Sequence, residues 1–176
     1  MEELEGKSVY MKQVASDREK YGGMIQDLSD QVVAFMPTSV SQVCAFTDEV
    51  ERRLALLADE RMVLKAFPGW PEQRVEAMRE AVSRYRELQA LRASVDIVKW
   101  TPMPSVAQEL QRAGDVYTRT QATVDWFLRV REDLTARWRG HGLPFDFKPL
   151  TETQHAFVDL AEHVMRLALS EHVRLG

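Results

Sequence analysis

His155, Asp159 and His163 stand at i, i+4 and i+8, with His172 beyond them. On a helix, a spacing of four puts neighbours on one face, where two imidazoles and a carboxylate could hold a divalent metal. That face drifts by about 40° every four residues, and polar residues there complete the solvent side of an amphipathic helix, so no metal is expected. Glu72, Glu76 and Glu80 form a second row at spacing four, a pattern used by di-iron carboxylate sites and by general acids and bases. Arg79 and Arg84 alternate with them opposite an apolar side, which is the pattern of a solvated face with i,i+4 pairs. Cys44, between Val43 and Ala45, reads as a small buried side chain rather than a nucleophile. No P-loop, dinucleotide fingerprint, nucleophile elbow or zinc-ligand spacing occurs in the sequence. The residues point away from an enzyme, and no cofactor is expected.

Charge offers a different chemistry. Arg52, Arg53, Arg61 and Lys65 form one basic grouping, and Arg129, Arg131, Arg137 and Arg139 form another. Either could dock an acidic protein surface, because charge complementarity speeds and orients association, although Glu49, Glu51, Glu60 and Glu132 dilute them. A formal net charge of −4 argues against a nucleic-acid binder, whose domains carry a basic excess. The single cysteine excludes an intrachain disulfide and fits a reducing compartment. The N-terminal stretch MEELEGKSVYMKQ lacks an apolar signal core, and nowhere do about eighteen apolar residues run together. A soluble chain is expected, with no direct insertion into a membrane.

These side chains must be positioned by helices, since the apolar residues recur at steps of three and four and no period-two run appears. From Tyr21 the first helix carries Tyr21, Ile25, Leu28, Val32 and Phe35, a heptad seam suited to self-association, interrupted upstream by Gly22-Gly23. Pro37 ends it, and Thr38 or Ser39 can cap a second helix that runs to Phe67. The stretch FPGWPE then reads as a packed corner of Phe67, Trp70 and Pro71, with Pro71 in the first turn of a third helix. WTPMPS, with Trp100 as a wedge and Ser105 as a cap, precedes a long fourth helix, which Gly140 or Gly142 can close. TETQ, residues 151 to 154, reads as a capping box opening the last helix. The expectation is an all-α elongated bundle of about five long helices with Pro/Gly corners, dimeric through its coiled-coil-like N-terminal helix. Residues 1–36 form that helix and residues 37–176 one helical unit.

The corner and its flanks carry a resemblance. LLADERMVLKAFPGWPEQRVEAMREAVSRYREL is similar to the C-terminal domain of the plant chloroplast unusual positioning family and its petal-growth-anisotropy relatives. The matching residues are Asp59, Glu60, Arg61, Val63, Leu64 and Phe67, then Trp70 and Pro71, then Met78, Arg79, Glu80, Ala81 and Tyr85. SVYMKQVASDREKY resembles the start of the petal-growth group. FLRVREDLTARWRGHGLPFDF resembles a second family segment through Leu128, Arg129, Arg131, Asp133, Arg137, Trp138, Gly142, Leu143 and Pro144. The resemblance implies a homodimeric actin-binding domain that promotes filament assembly in chloroplast movement, at the cytosolic face of the chloroplast outer envelope. It also implies that a distal part of the family domain is missing from residues 37–176. Arg129, Arg131, Arg137 and Arg139 are then the expected actin contacts. A non-nucleating scaffold or microtubule-associated adaptor is the alternative.

Overall fold

The computed structural model describes residues 1–98 and 102–176, and the helical backbone at 99 and 100. The wedge expected of Trp100 lies outside the described residues. The fold is all-α: α1 (Glu2–Ala34), α2 (Val40–Leu54), α3 (Glu60–Leu64), α4 (Glu72–Trp100), α5 (Val106–Gly140) and α6 (Lys148–Leu175), with no strand among the described residues.

Local chemistry sets the helix ends. The Ser39 hydroxyl accepts the Gln42 N–H and starts α2, and the Ser105 hydroxyl accepts the Gln108 N–H and starts α5. At the far end of α5, Gly142 adopts φ 69°. Its N–H donates to the Arg139 carbonyl at 2.9 Å, and the Leu143 N–H reaches back to the Trp138 carbonyl at 3.0 Å. Those two bonds and the buried Trp138–Leu143 pair constitute a Schellman closure, which needs a left-handed residue at position 142.

Three expectations need correction. The helix expected from residue 38 to Phe67 is broken between Leu54 and Glu60. Asp17 on α1 accepts the Ala58 N–H at 2.8 Å, and Asp59 accepts the Met62 N–H at 3.0 Å, so two carboxylates draw the backbone out of the helix and restart it as α3. The last helix opens at Lys148, before the TETQ box, because Pro149 fits a first turn and the Asp146 carboxylate takes the Lys148 N–H. Pro71 precedes α4 instead of lying in its first turn, and its carbonyl accepts the first helical bond, from Val75. At Gly22-Gly23, α1 runs unbroken. A Cβ on Gly22 would stand 3.7 Å from the Phe67 ring, an ordinary van der Waals contact, so α1 passes close beside that ring there.

The chain packs as two compact units. The first comprises Met1–Val82 and Trp138–Pro144, the second Ser83–Arg137 and Phe145–Gly176, and the backbone passes between them within α4 and α5. The boundary expected at residue 36 is not an edge of either unit, since α1 packs with α3 in the first. The first unit buries Ile25, Leu28, Val32, Val43, Val50, Met78 and Trp138. Burying each such side chain contributes about 1.5–3 kcal/mol. The second buries Phe127, Leu134 and Leu150, with a cluster of Val95, Val98, Ala113, Val116, Ala156 and Leu160 from α4, α5 and α6.

Candidate functional site

The corner between α3 and α4 belongs to the first unit, as do Asp59, Glu60, Arg79 and Trp138 of the resemblance, whereas Tyr85 and the stretch from Leu128 to Arg137 belong to the second. Asp59 caps α3 and also accepts a hydrogen bond from the Tyr10 hydroxyl of α1. These two bonds, Tyr10's first, hold the Asp59 carboxyl below its ordinary range, and the same carboxylate pushes the Tyr10 hydroxyl above 10.0. Phe67 and Trp70 are half-buried and linked by a backbone bond of 3.0 Å from the Trp70 N–H to the Phe67 carbonyl. The Ser29 hydroxyl on α1 reaches the Gly69 carbonyl between them at 3.4 Å. Phe67, Trp70 and Pro71 are all half-buried in this corner.

Arg79 ties three elements together. Its guanidinium donates to Glu51 of α2, Glu60 of α3 and Glu76 of its own helix. Partial burial works against that charge, but the three carboxylates outweigh it and raise the arginine's pKa. The glutamate row therefore separates: Glu76 serves Arg79, Glu80 accepts the Trp138 indole N–H at 3.4 Å, and Glu72 is exposed.

Arg74 and Asp17 were not visible as site residues in the sequence. Arg74 donates to the carbonyls of Val32, Val33 and Phe35 at the end of α1 and to the His141 carbonyl at 3.1 Å. Asp17, 4% exposed, accepts from Gln13 and Ala58. The signal for Asp17 is the gap between Val14 and Tyr21, where the seam lacks an apolar residue and a carboxylate stands instead.

The proposed self-association seam lies inside the chain. Ile25, Leu28 and Val32 are 0% exposed. Phe35 packs on Phe46 with centroids 4.1 Å apart, and the Arg74 guanidinium sits over its ring. Tyr21 is half-buried beside Lys20. A second copy would have to displace the first unit's own side chains to reach this seam.

Arg129, Arg131, Arg137 and Arg139 are all exposed on α5. The first three belong to the second unit, where the Arg131 guanidinium covers the Phe147 ring at 5.0 Å, and Arg139 belongs to the first. The earlier basic grouping divides: Arg52 and Arg53 both donate to Glu49, whereas Arg61 and Lys65 form no ion pair among the described residues and act on the Asp59 carboxylate only through their charge.

His155, Asp159, His163 and His172 are exposed on α6, and His163 Nε2 lies 4.0 Å from a Glu109 carboxylate oxygen. Among the described residues, no group of three or more His, Cys, Asp or Glu side chains could hold a metal. An open cleft of about 400 Å³ beside His163 is lined by charges already paired, Arg92 with Asp96 and Glu152, and Arg166 with Glu162. Cys44 is half-buried on α2. No helix among the described residues is long and apolar enough to cross a membrane.

Fold and surface together define an all-α helical module whose recurring motif residues hold helices to one another. No family model matches the chain. It is similar to a protein of Arabidopsis thaliana named Uncharacterized protein At4g04980, with 25% identity over 169 residues. The alignment covers 96% of this chain and 23% of that protein, so the chain spans about a quarter of the relative's length.

Proposed function

We propose that the chain is a non-catalytic actin-binding module that promotes filament assembly and acts in organelle positioning, chloroplast movement in particular. The family resemblance supplies the partner and the process. One structural observation carries the reading: most of the residues that make the resemblance hold the fold together. Asp59 caps a helix, Glu60 and Arg79 pair, Val63, Met78 and Ala81 are buried, Trp138 bonds Glu80, and Gly142 supplies a left-handed closure. A motif used in this way preserves a scaffold, and a scaffold acts through the surface it presents. On that surface Arg129, Arg131, Arg137 and Arg139 offer cations that fit an acidic actin face. Action as a homodimer at the chloroplast outer envelope is part of the same proposal.

Pyrene-actin assembly with the purified chain tests it, and the wild type should shorten the lag. Replacing the four arginines by alanine should abolish that shortening while the far-ultraviolet circular dichroism stays unchanged. Unaltered assembly by the quadruple variant would remove these residues from the contact. Cosedimentation with microtubules and not with actin filaments would replace the proposal with a microtubule-associated scaffold.

A further inference from the structure

Beside the corner of the first unit lies an open cleft of about 550 Å³, floored by Leu64, Phe67, Pro68 and Trp70 and edged by Arg61 and Lys65. Most cations elsewhere in this unit are committed. Arg52 and Arg53 engage Glu49, Arg79 engages three glutamates, and Arg74 is occupied by backbone carbonyls. Arg61 on α3 and Lys65 at its C-cap are exposed, four residues apart, and form no ion pair among the described residues. Two exposed cations, whose charge is felt by the Asp59 carboxylate but which have no ion pair among the described residues, thus stand next to half-buried aromatic rings.

We propose that this cleft docks a segment of a partner protein in which a bulky apolar side chain is flanked by aspartate or glutamate. The apolar residue enters between Phe67 and Trp70, and the acids meet Arg61 and Lys65. Aromatic side chains held in a depression are the usual anchors of protein–protein contacts. These two are positioned in advance, by the backbone bond between them and by Ser29 on Gly69, so little ordering remains to be done on binding. Charge selects the partner: Glu60 and Glu76 of the lining are held by Arg79, so an acidic segment meets Arg61 and Lys65, whereas a basic one meets like charge there. Glu72, exposed at the other edge, opposes a segment that is acidic along its whole length and so fixes the acids to the α3 side. This inference concerns a different surface from the α5 arginines and stands whether or not actin is the partner there.

The test uses the full 176-residue chain and a fluorescein-labelled helix-forming peptide bearing one tryptophan and one leucine flanked by glutamates, with a lysine-for-glutamate version as control. Fluorescence anisotropy should show the acidic peptide binding at least about tenfold more tightly than the control. In the double variant Arg61→Glu, Lys65→Glu, both at exposed positions, that preference should invert while the thermal midpoint holds. The Trp70 indole resonance, assigned by Trp70→Phe, should move on titration. Failure of the acidic peptide to bind, or equal binding by wild type and double variant, would overturn the proposal. Light scattering on the same samples reads the other occupant: a dimer dissolved by the double reversal would assign the cleft to a second copy instead.

Discussion

Helix α1 ends with no basic residue in its last turn, and Phe35 leaves it in an extended conformation. The last carbonyls of a helix need donors from elsewhere, and they carry the negative end of its dipole. Arg74 answers both needs from α4 through Val32, Val33 and Phe35, and its remaining donor reaches the carbonyl of His141 beside the closure of α5. Partial burial lowers the pKa of its guanidinium, which still carries its charge against the helix end. Arg74→Ala should therefore lower the stability of the chain by about 3 kcal/mol, the scale for losing several charge-assisted bonds to helix-end carbonyls. Arg74→Lys should recover only part of it, since an ammonium is a point donor that cannot fork across four carbonyls. Urea titration of the three proteins checks this, and a neutral Arg74→Ala would mean that solvent serves those carbonyls equally well. Nothing in the sequence marks this residue, which sits among Glu72, Gln73 and Glu76 on a face of mixed charge.

At the scale of the element, α1 separates what was legible from what was not. Heptad spacing correctly marks Ile25, Leu28 and Val32 as an apolar face, because periodicity reports that a face must be covered. It does not report what covers it, and here the cover comes from the chain's own first unit. Leu28→Ala should thus behave as a core truncation, destabilising by about 3 kcal/mol through lost transfer energy and a residual cavity. Because the seam is covered within the chain, any dependence of the thermal midpoint on protein concentration should be the same in this variant as in wild type. A midpoint that rises with concentration in wild type and ceases to do so in the variant would restore the seam as a subunit interface. The caps at Ser39 and Ser105 were legible for a local reason: a serine hydroxyl and the N–H that it accepts lie within a few residues of each other. The break before α3 was not, because it depends on Asp17, 41 residues from the N–H that it accepts. Likewise the basic groupings could be counted in the sequence, but whether a cation is committed depends on partners such as Glu49, which separate Arg52 and Arg53 from Arg61 and Lys65.

For the whole molecule, the perturbed groups shape how stability follows pH. Glu49, bound by Arg52 and Arg53, is held down from 4.5 to about 2, and Asp59 is held below 3.8 by Tyr10 and the Met62 N–H. A carboxyl whose folded pKa is depressed stabilises above its unfolded pKa, and the contribution disappears as pH falls through the folded value. For Glu49 that window runs from 4.5 down to about 2. Tyr10 moves the other way. Its pKa is raised above 10.0, so its contribution is complete below that pH and disappears as pH rises beyond it. Tyr10→Phe should remove the alkaline loss and, by returning Asp59 toward 3.8, also shrink the acid loss that Asp59 contributes, whereas Glu49→Gln should flatten only the acid limb. Because these groups lie at the surface, both limbs should weaken as salt is added, with a screening length of about 10 Å at 0.1 M. Thermal midpoints across the pH range, at low and high salt, separate the two residues. A Tyr10→Phe profile that superimposes on wild type above pH 10 would remove the Tyr10–Asp59 link between α1 and the start of α3.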